Sequence, residues 1–284
     1  MKNQKVAIVV DSTAYIPPDL VKKYHIQVIP LILSWEGKSY LDDVDITPTE
    51  FYERLSTAKE IPTSSQPTPA QFFEFFSNIA NKAESIVGVF ISDELSGTLD
   101  SAHSAAEMMP DYPIEIIDSR STSLGLGFLA LAGARAAEDG MSSKEVANIV
   151  RNLVESVRLV FAVDTLEFLH RGGRIGGAQR LLGSILSVKP LLHLQDGRIE
   201  PLESTRTKKK AIQGLLDRFE NETRNKEGVH VAVIHANNPK EGQFLYDKVT
   251  SCISPVELFI AELSPVIGTH VGPGTVGLSY YVEP

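Results

Sequence analysis

Val6–Val10 is an unbroken apolar run, the pattern of a strand buried on both faces. Ile26–Leu33, Ile86–Ile91 and Ile114–Ile117 read as three further strands. Helix signals fall between them. Pro17-Pro18 opens a helical stretch to Tyr24. Thr47-Pro48-Thr49-Glu50 has the capping-box order with proline at the first helical position. Thr68-Pro69-Ala70-Gln71 repeats that logic before FFEFFSNIANKA. A helix follows Gly97, an apolar one spans Ser123–Asp139 and stops at Gly140, and Ser142 with Glu145 caps another. Strands alternating with helices predict a Rossmann-like parallel sheet with helices on both faces.

The second half has a different rhythm. Leu159–Val163 reads as a strand, and a short helical segment precedes RGGRIGG. Pro190–Leu194 and Arg198–Leu202 flank Gln195-Asp196-Gly197, where Asp-Gly signals a hairpin. Thr207–Arg224 and Pro239–Ser251 read as helices; Val229–His235, Val256–Leu263 and Thr275–Tyr281 read as strands. Hairpins with helices predict a mixed or antiparallel sheet. The expected architecture is therefore α/β in two domains, residues 1–158 and 159–284. The chain length of 284 residues suits that division.

Charge narrows the partners. The net charge of −9 lacks the basic footprint that nucleic acid requires. The single cysteine, Cys252, excludes an intrachain disulfide and fits a reducing compartment. The apolar run before Asp11 is too short for a signal peptide, and no run reaches the ~18 residues of a membrane span. The expected location is the cytoplasm, with at most transient membrane contact.

No P-loop, HExxH, GxSxG or metal-spaced Cys/His cluster occurs. Gly125 and Gly127 match a dinucleotide fingerprint only in spelling; they follow no strand directly and read as close-packing glycines. Asp42, Asp43 and Asp45 read as a solvated acidic loop in preference to a metal site. Three stretches carry possible binding chemistry. Pro62–Pro67 places Ser64 and Ser65 in a hydroxyl-rich loop, by composition an ordinary turn. Ser96-Gly97-Thr98 lies between a strand and a helix, where open α/β sheets bind ligands and helix starts favour anions. A simple N-cap role for Ser96 explains the same pattern. Ile267–Gly274 surrounds His270 with glycines and reads as a loop that fixes the imidazole at a bend. There it either donates to an anion or makes a structural hydrogen bond. Arg171, Arg174 and Arg206 sit beside glycines or hydroxyls and suit phosphate or an acidic partner; Lys208–Lys210 reads as a solvated helix face.

VVDSTA, PTSSQPTP, ISDELSGT, IIDSRSTSLGLG, EFLHRGGRIG, the STR turn and GTHVGPGTVG occur in this order over nearly the whole chain. Together they resemble the DegV family. The resemblance implies a two-domain DegV-like (EDD) fold with the ligand site between domains. It implies a carrier that is not itself an enzyme. A long-chain fatty acid such as palmitate, stearate or oleate is bound and presented to a fatty acid kinase subunit. The acyl phosphate then feeds phospholipid synthesis, with an acyltransferase as a further partner. Carried over by position, Ser64, Ser96 and His270 hold the carboxylate, with Ser65, Gly97 and Thr98 nearby. Ser64 stands where many relatives have threonine. Arg206 corresponds to an arginine of the phosphorylation step or kinase contact, and Arg171 and Arg174 lie near the same face. No metal or other cofactor is implied. The alternative is a dihydroxyacetone-kinase-like subunit that holds a small carbonyl substrate through histidine.

The chemistry is consistent with a carrier. A buried carboxylate needs donors, which hydroxyls, backbone N–H groups and an imidazole supply. Sixteen carbons withdrawn from water contribute on the order of 13 kcal/mol before costs, at ~0.8 kcal/mol each. LGLGFLALAGA and LLGSILSVKPLL are the candidate slot linings, and equally ordinary core.

Overall fold

The computed structural model describes residues 4–184 and 188–283. The chain divides into two compact units, Met1–Ile32 with Ser64–Ser156 and Leu33–Thr63 with Val157–Pro284. The division is not a single cut near residue 158. Leu33–Thr63 groups with the second unit, whereas the sequence pattern placed it in the first. Buried anchors explain this. The Tyr52 hydroxyl donates to the Leu263 carbonyl at 3.1 Å. The side chain of Asp42 accepts from Ser264 and Val266.

The first unit is built on a four-stranded sheet of order Gln27–Ile29, Ala7–Asp11, Ile86–Phe90, Ile114–Asp118. Every pair is parallel, as the continuous apolar runs predict. Helices Pro69–Ala80 and Thr98–Glu107 bury Phe72, Phe76, Leu99 and Ala102 in one core with Val9 and Phe90. Helix Ser123–Glu138 carries twelve buried residues. Its small residues permit that closeness. A Cβ on Gly127 would stand 2.5 Å from the Ala14 carbonyl, and one on Gly133 would stand 2.9 Å from Val150. Helix Ser143–Val154 starts at the expected Ser142–Glu145 capping box. Because the strands run one way, the loops after Asp11, Phe90 and Asp118 leave one edge of the sheet, where α/β folds hold ligands.

The second unit holds a six-stranded sheet of order Arg198–Thr205, Lys189–Gln195, Arg158–Ala162, Val276–Val282, Val229–His235, Glu257–Glu262. Only the last pair is parallel; the other pairings are antiparallel. The expected hairpin turns at Asp196 and Gly197, with φ of 50° and 80°, as a type I′ turn requires. Helices Lys208–Thr223 and Pro239–Cys252 pack Leu215, Phe219 and Leu245 against Val231 and Leu278.

Three local features differ from the pattern. The single strand expected over Ile26–Leu33 is two, Gln27–Ile29 and Ile32–Trp35, because Pro30 offers no N–H to a ladder. Strand Lys38–Leu41 neighbours the second of these after a turn at Glu36 and Gly37, both at positive φ. Its exposed face hides it from an apolar count. Thr63–Ser65 is a short strand rather than part of a turn.

Candidate ligand-binding site

In the first unit, the hydroxyl-bearing loops gather at the carboxyl ends of the parallel strands. A Cβ on Gly97 would lie 2.9 Å from the Gln66 side-chain amide, so the Ser64–Gln66 segment adjoins the Ser96–Gly97 loop. The hydroxyls of Ser96 and Thr98 are 2.8 Å apart. Gly97 is the N-cap of helix Thr98–Glu107, which has no side-chain cap. The N-cap explanation for Ser96 therefore fails, and its hydroxyl pairs with that of Thr98 instead. Ser64 is half-buried and Ser65 is exposed. Asp11 fixes the frame behind them. Its carboxylate accepts from the Thr13 N–H at 2.9 Å, the Thr13 hydroxyl at 2.6 Å and the Ile91 N–H at 2.7 Å. Burial raises the Asp11 pKa, and the same hydrogen bonds oppose the rise.

In the second unit, His270 does not sit on a glycine-rich bend. It lies in the last turn of helix Pro265–Val271. Pro265 opens that helix after Ser264, Asp42 holds its first turn, and Gly272 ends it at φ 74°. The glycines of this stretch act as close-packing and stop residues rather than as loop formers. The segment Glu167–Arg171, a short helix, and the turn after it press against the imidazole. A Cβ on Gly172 would stand 2.3 Å from His270 Nδ1. Arg174 donates to the Gly172 carbonyl at 2.8 Å. Burial pushes the His270 pKa down to about 4, with the nearby Arg174 cation as the second cause. At neutral pH the ring is therefore uncharged and offers one donor and one acceptor.

The remaining basic residues separate. Arg171 pairs with Glu167 at 2.5 Å on an exposed face. Arg206 is exposed. Lys208, expected on a solvated face with Lys209 and Lys210, is only 15% exposed. It binds Asp164 at 2.7 Å and donates to the Gly274 carbonyl. It thus anchors the turn that follows the His270 helix. Hydrophobic patterning had no means of showing this, since three consecutive lysines look alike. Gly172 was equally hidden, because only the fold brings it to His270. Ser64, Ser65, Ser96, Gly97 and Thr98 thus belong to the first unit, and His270, Arg171, Arg174 and Arg206 to the second.

Among the described residues, no three His, Cys, Asp or Glu side chains are placed to hold a metal. No described helix is long and apolar enough to cross a membrane. Of the two proposed slot linings, LGLGFLALAGA is buried along most of its length. The other includes residues 185–187, which lie outside the described residues.

A family model described as "Uncharacterised protein, DegV family" matches residues 5–283. The chain belongs to the DegV family. A DegV domain-containing protein of Clostridium perfringens is 37% identical over 282 residues, covering 98% of this chain and 99% of the relative. Among solved structures, a DegV family protein from Thermus thermophilus, described by its fatty acid binding, superposes with a TM-score of 0.93 at 34% identity. That match covers 98% of this chain and all of the other. DegV of Bacillus subtilis, described as a fatty acid binding protein, gives a TM-score of 0.91 at 31% identity over 99% of this chain and 100% of its own. The α/β fold with one parallel and one mixed sheet is that of DegV family structures.

Proposed function

We propose that this DegV family member is a carrier for a long-chain fatty acid, held by its carboxylate. The observation that carries the reading is the adjacency of the Ser64–Gln66 segment to a Ser96–Thr98 hydroxyl pair at the carboxyl edge of a parallel sheet. In this reading the hydroxyls of Ser64 and Ser96 donate to the carboxylate, and the neutral imidazole of His270 is a further proposed donor. Ser65, Gly97, Thr98, Arg174 and Arg171 flank these donors. The buried helix Ser123–Glu138 contributes apolar wall to the acyl chain. The descriptions of the Thermus and Bacillus proteins support the ligand class.

The carrier presents the carboxylate to a kinase subunit, which transfers a phosphoryl group to it. The resulting acyl phosphate supplies phospholipid synthesis through an acyltransferase. The exposed guanidinium of Arg206 suits contact with that subunit. The carrier performs no chemistry of its own and works in the cytoplasm. The alternative of a small-carbonyl enzyme subunit gains no support from the neighbours' descriptions.

Organic extraction of the purified protein should release a long-chain fatty acid detectable by mass spectrometry. Recovery of no lipid, together with no binding of added stearate, would overturn the proposal.

A further inference from the structure

Helix Ser123–Glu138 begins differently from the protein's other well-capped helices. Thr47, Thr68, Ser142 and Thr207 each turn a hydroxyl back to accept an N–H of their own helix. Thr122 occupies the same N-cap position, yet its side chain makes no cap. The Thr122 and Ser123 hydroxyls are both shielded from solvent and have no hydrogen-bond partner among the described residues. The residues themselves are 8% and 1% exposed.

Ser123 also has a φ of 55°, the left-handed region that glycine adopts more easily. A serine there keeps a hydroxyl at the cost of backbone strain. A buried hydroxyl with no partner is itself unfavourable. Two such groups side by side are explained when a partner comes from outside the chain. The position is apt for that. The Ser121 carbonyl accepts from the Ser92 N–H at 2.9 Å, and the Ser92 carbonyl accepts from the N–H groups of Leu95 and Ser96 at 3.0 and 3.1 Å. The helix start is thereby tied to the loop that carries Ser96. The free N–H groups of a 16-residue helix and its positive dipole end favour an anionic oxygen. The apolar residues behind that start suit an acid with a hydrocarbon tail.

We propose that Thr122 and Ser123 are two further anchors for the bound acid, donating their buried hydroxyls to its carboxylate at the start of helix Ser123–Glu138. The inference rests on the fatty acid reading and deepens it. It assigns the first unit a donor set that includes the helix start as well as the Ser64 and Ser96 loops.

The test is equilibrium binding of stearate to the delipidated full chain, with thermal unfolding measured in parallel. Thr122→Val removes one hydroxyl at nearly constant shape. Ser123→Gly removes the other and relieves the left-handed backbone. Each should weaken stearate binding about tenfold, the scale of one lost charge-assisted hydrogen bond. The melting temperature should stay equal or rise, since each variant deletes an unsatisfied buried group. A merely structural role would leave affinity unchanged or lower it only together with stability, and either result overturns the inference. Ser96→Ala serves as the separate arm. If it weakens binding while both other variants bind as the wild type does, the inference fails and the carrier reading stands. If the wild-type chain binds no stearate, the carrier reading fails and takes the inference with it.

Discussion

Asp42 holds Ser264 across 222 residues of chain. Its carboxylate accepts the Ser264 hydroxyl at 2.8 Å, and its other oxygen accepts the Val266 N–H at 3.1 Å. The residue that looked like part of a solvated acidic loop is 1% exposed and caps the helix bearing His270. Asp42→Asn replaces one acceptor with a donor and leaves a buried group unpaired. Stability should fall by ~1–3 kcal/mol. A lower urea midpoint, with faster amide exchange across Pro265–Val271, checks this.

His270 makes stability depend on pH in a defined direction. Its folded pKa of about 4 lies below the ordinary 6.5. Between those values the unfolded chain binds more protons than the folded one, so stability falls as pH drops through this window. The full effect is on the order of 3 kcal/mol. His270→Gln should flatten that part of the curve of unfolding free energy against pH. The C–H resonances of this imidazole should show no titration near pH 6.5 in the native protein.

His230 carries the opposite sign. Burial alone would lower its pKa, but hydrogen bonds to Glu257 at 2.7 Å and Glu283 at 2.9 Å outweigh that and raise it. Its contribution is fully present below pH 6.5 and is lost as pH rises through the folded value. Glu283→Gln should reduce the stabilisation measured at mildly acidic pH more than that at alkaline pH. Equal losses at both would show that the ion pair does not govern the titration.

Gly172 leaves no room for a side chain. A methyl there would meet His270 Nδ1 at 2.3 Å and the Phe168 carbonyl at 3.1 Å. Gly172→Ala should cost ~1–3 kcal/mol by overpacking. It should also weaken stearate binding by displacing the imidazole. Thermal unfolding and a binding isotherm on the same preparation separate the two effects.

Much of the fold was legible because the parallel sheet needs continuous apolar runs, and Val6–Val10 and Ile86–Ile91 advertise it. The capping boxes at Thr47, Thr68 and Ser142 formed where their local chemistry placed them. The helix at His270 was not legible. Seven residues with one glycine and four β-branched side chains have weak intrinsic helix preference, and the helix depends on a cap supplied from Asp42. The same reason hides the grouping of Leu33–Thr63 with the second unit. Its anchors are long-range hydrogen bonds, which leave no periodicity in the chain. The place of Ser96 between a strand and a helix was legible. Lys208, Gly172 and the two hydroxyls at Thr122 and Ser123 needed the fold, because each owes its character to what lies beside it in space.

The discontinuity of the second unit has a consequence for synthesis. Asp42 leaves the ribosome 222 residues before its partner Ser264. At ~5–20 residues per second this is a wait of roughly 10–45 s. During that time Trp35, Phe51 and Tyr52, all buried in the finished protein, have yet to meet the rest of their unit. All residues of the first unit have emerged once Ser156 has, while Leu33–Thr63 still lacks the rest of its own unit. That interval is when chaperone engagement or misassociation with a neighbouring nascent chain would act on this protein.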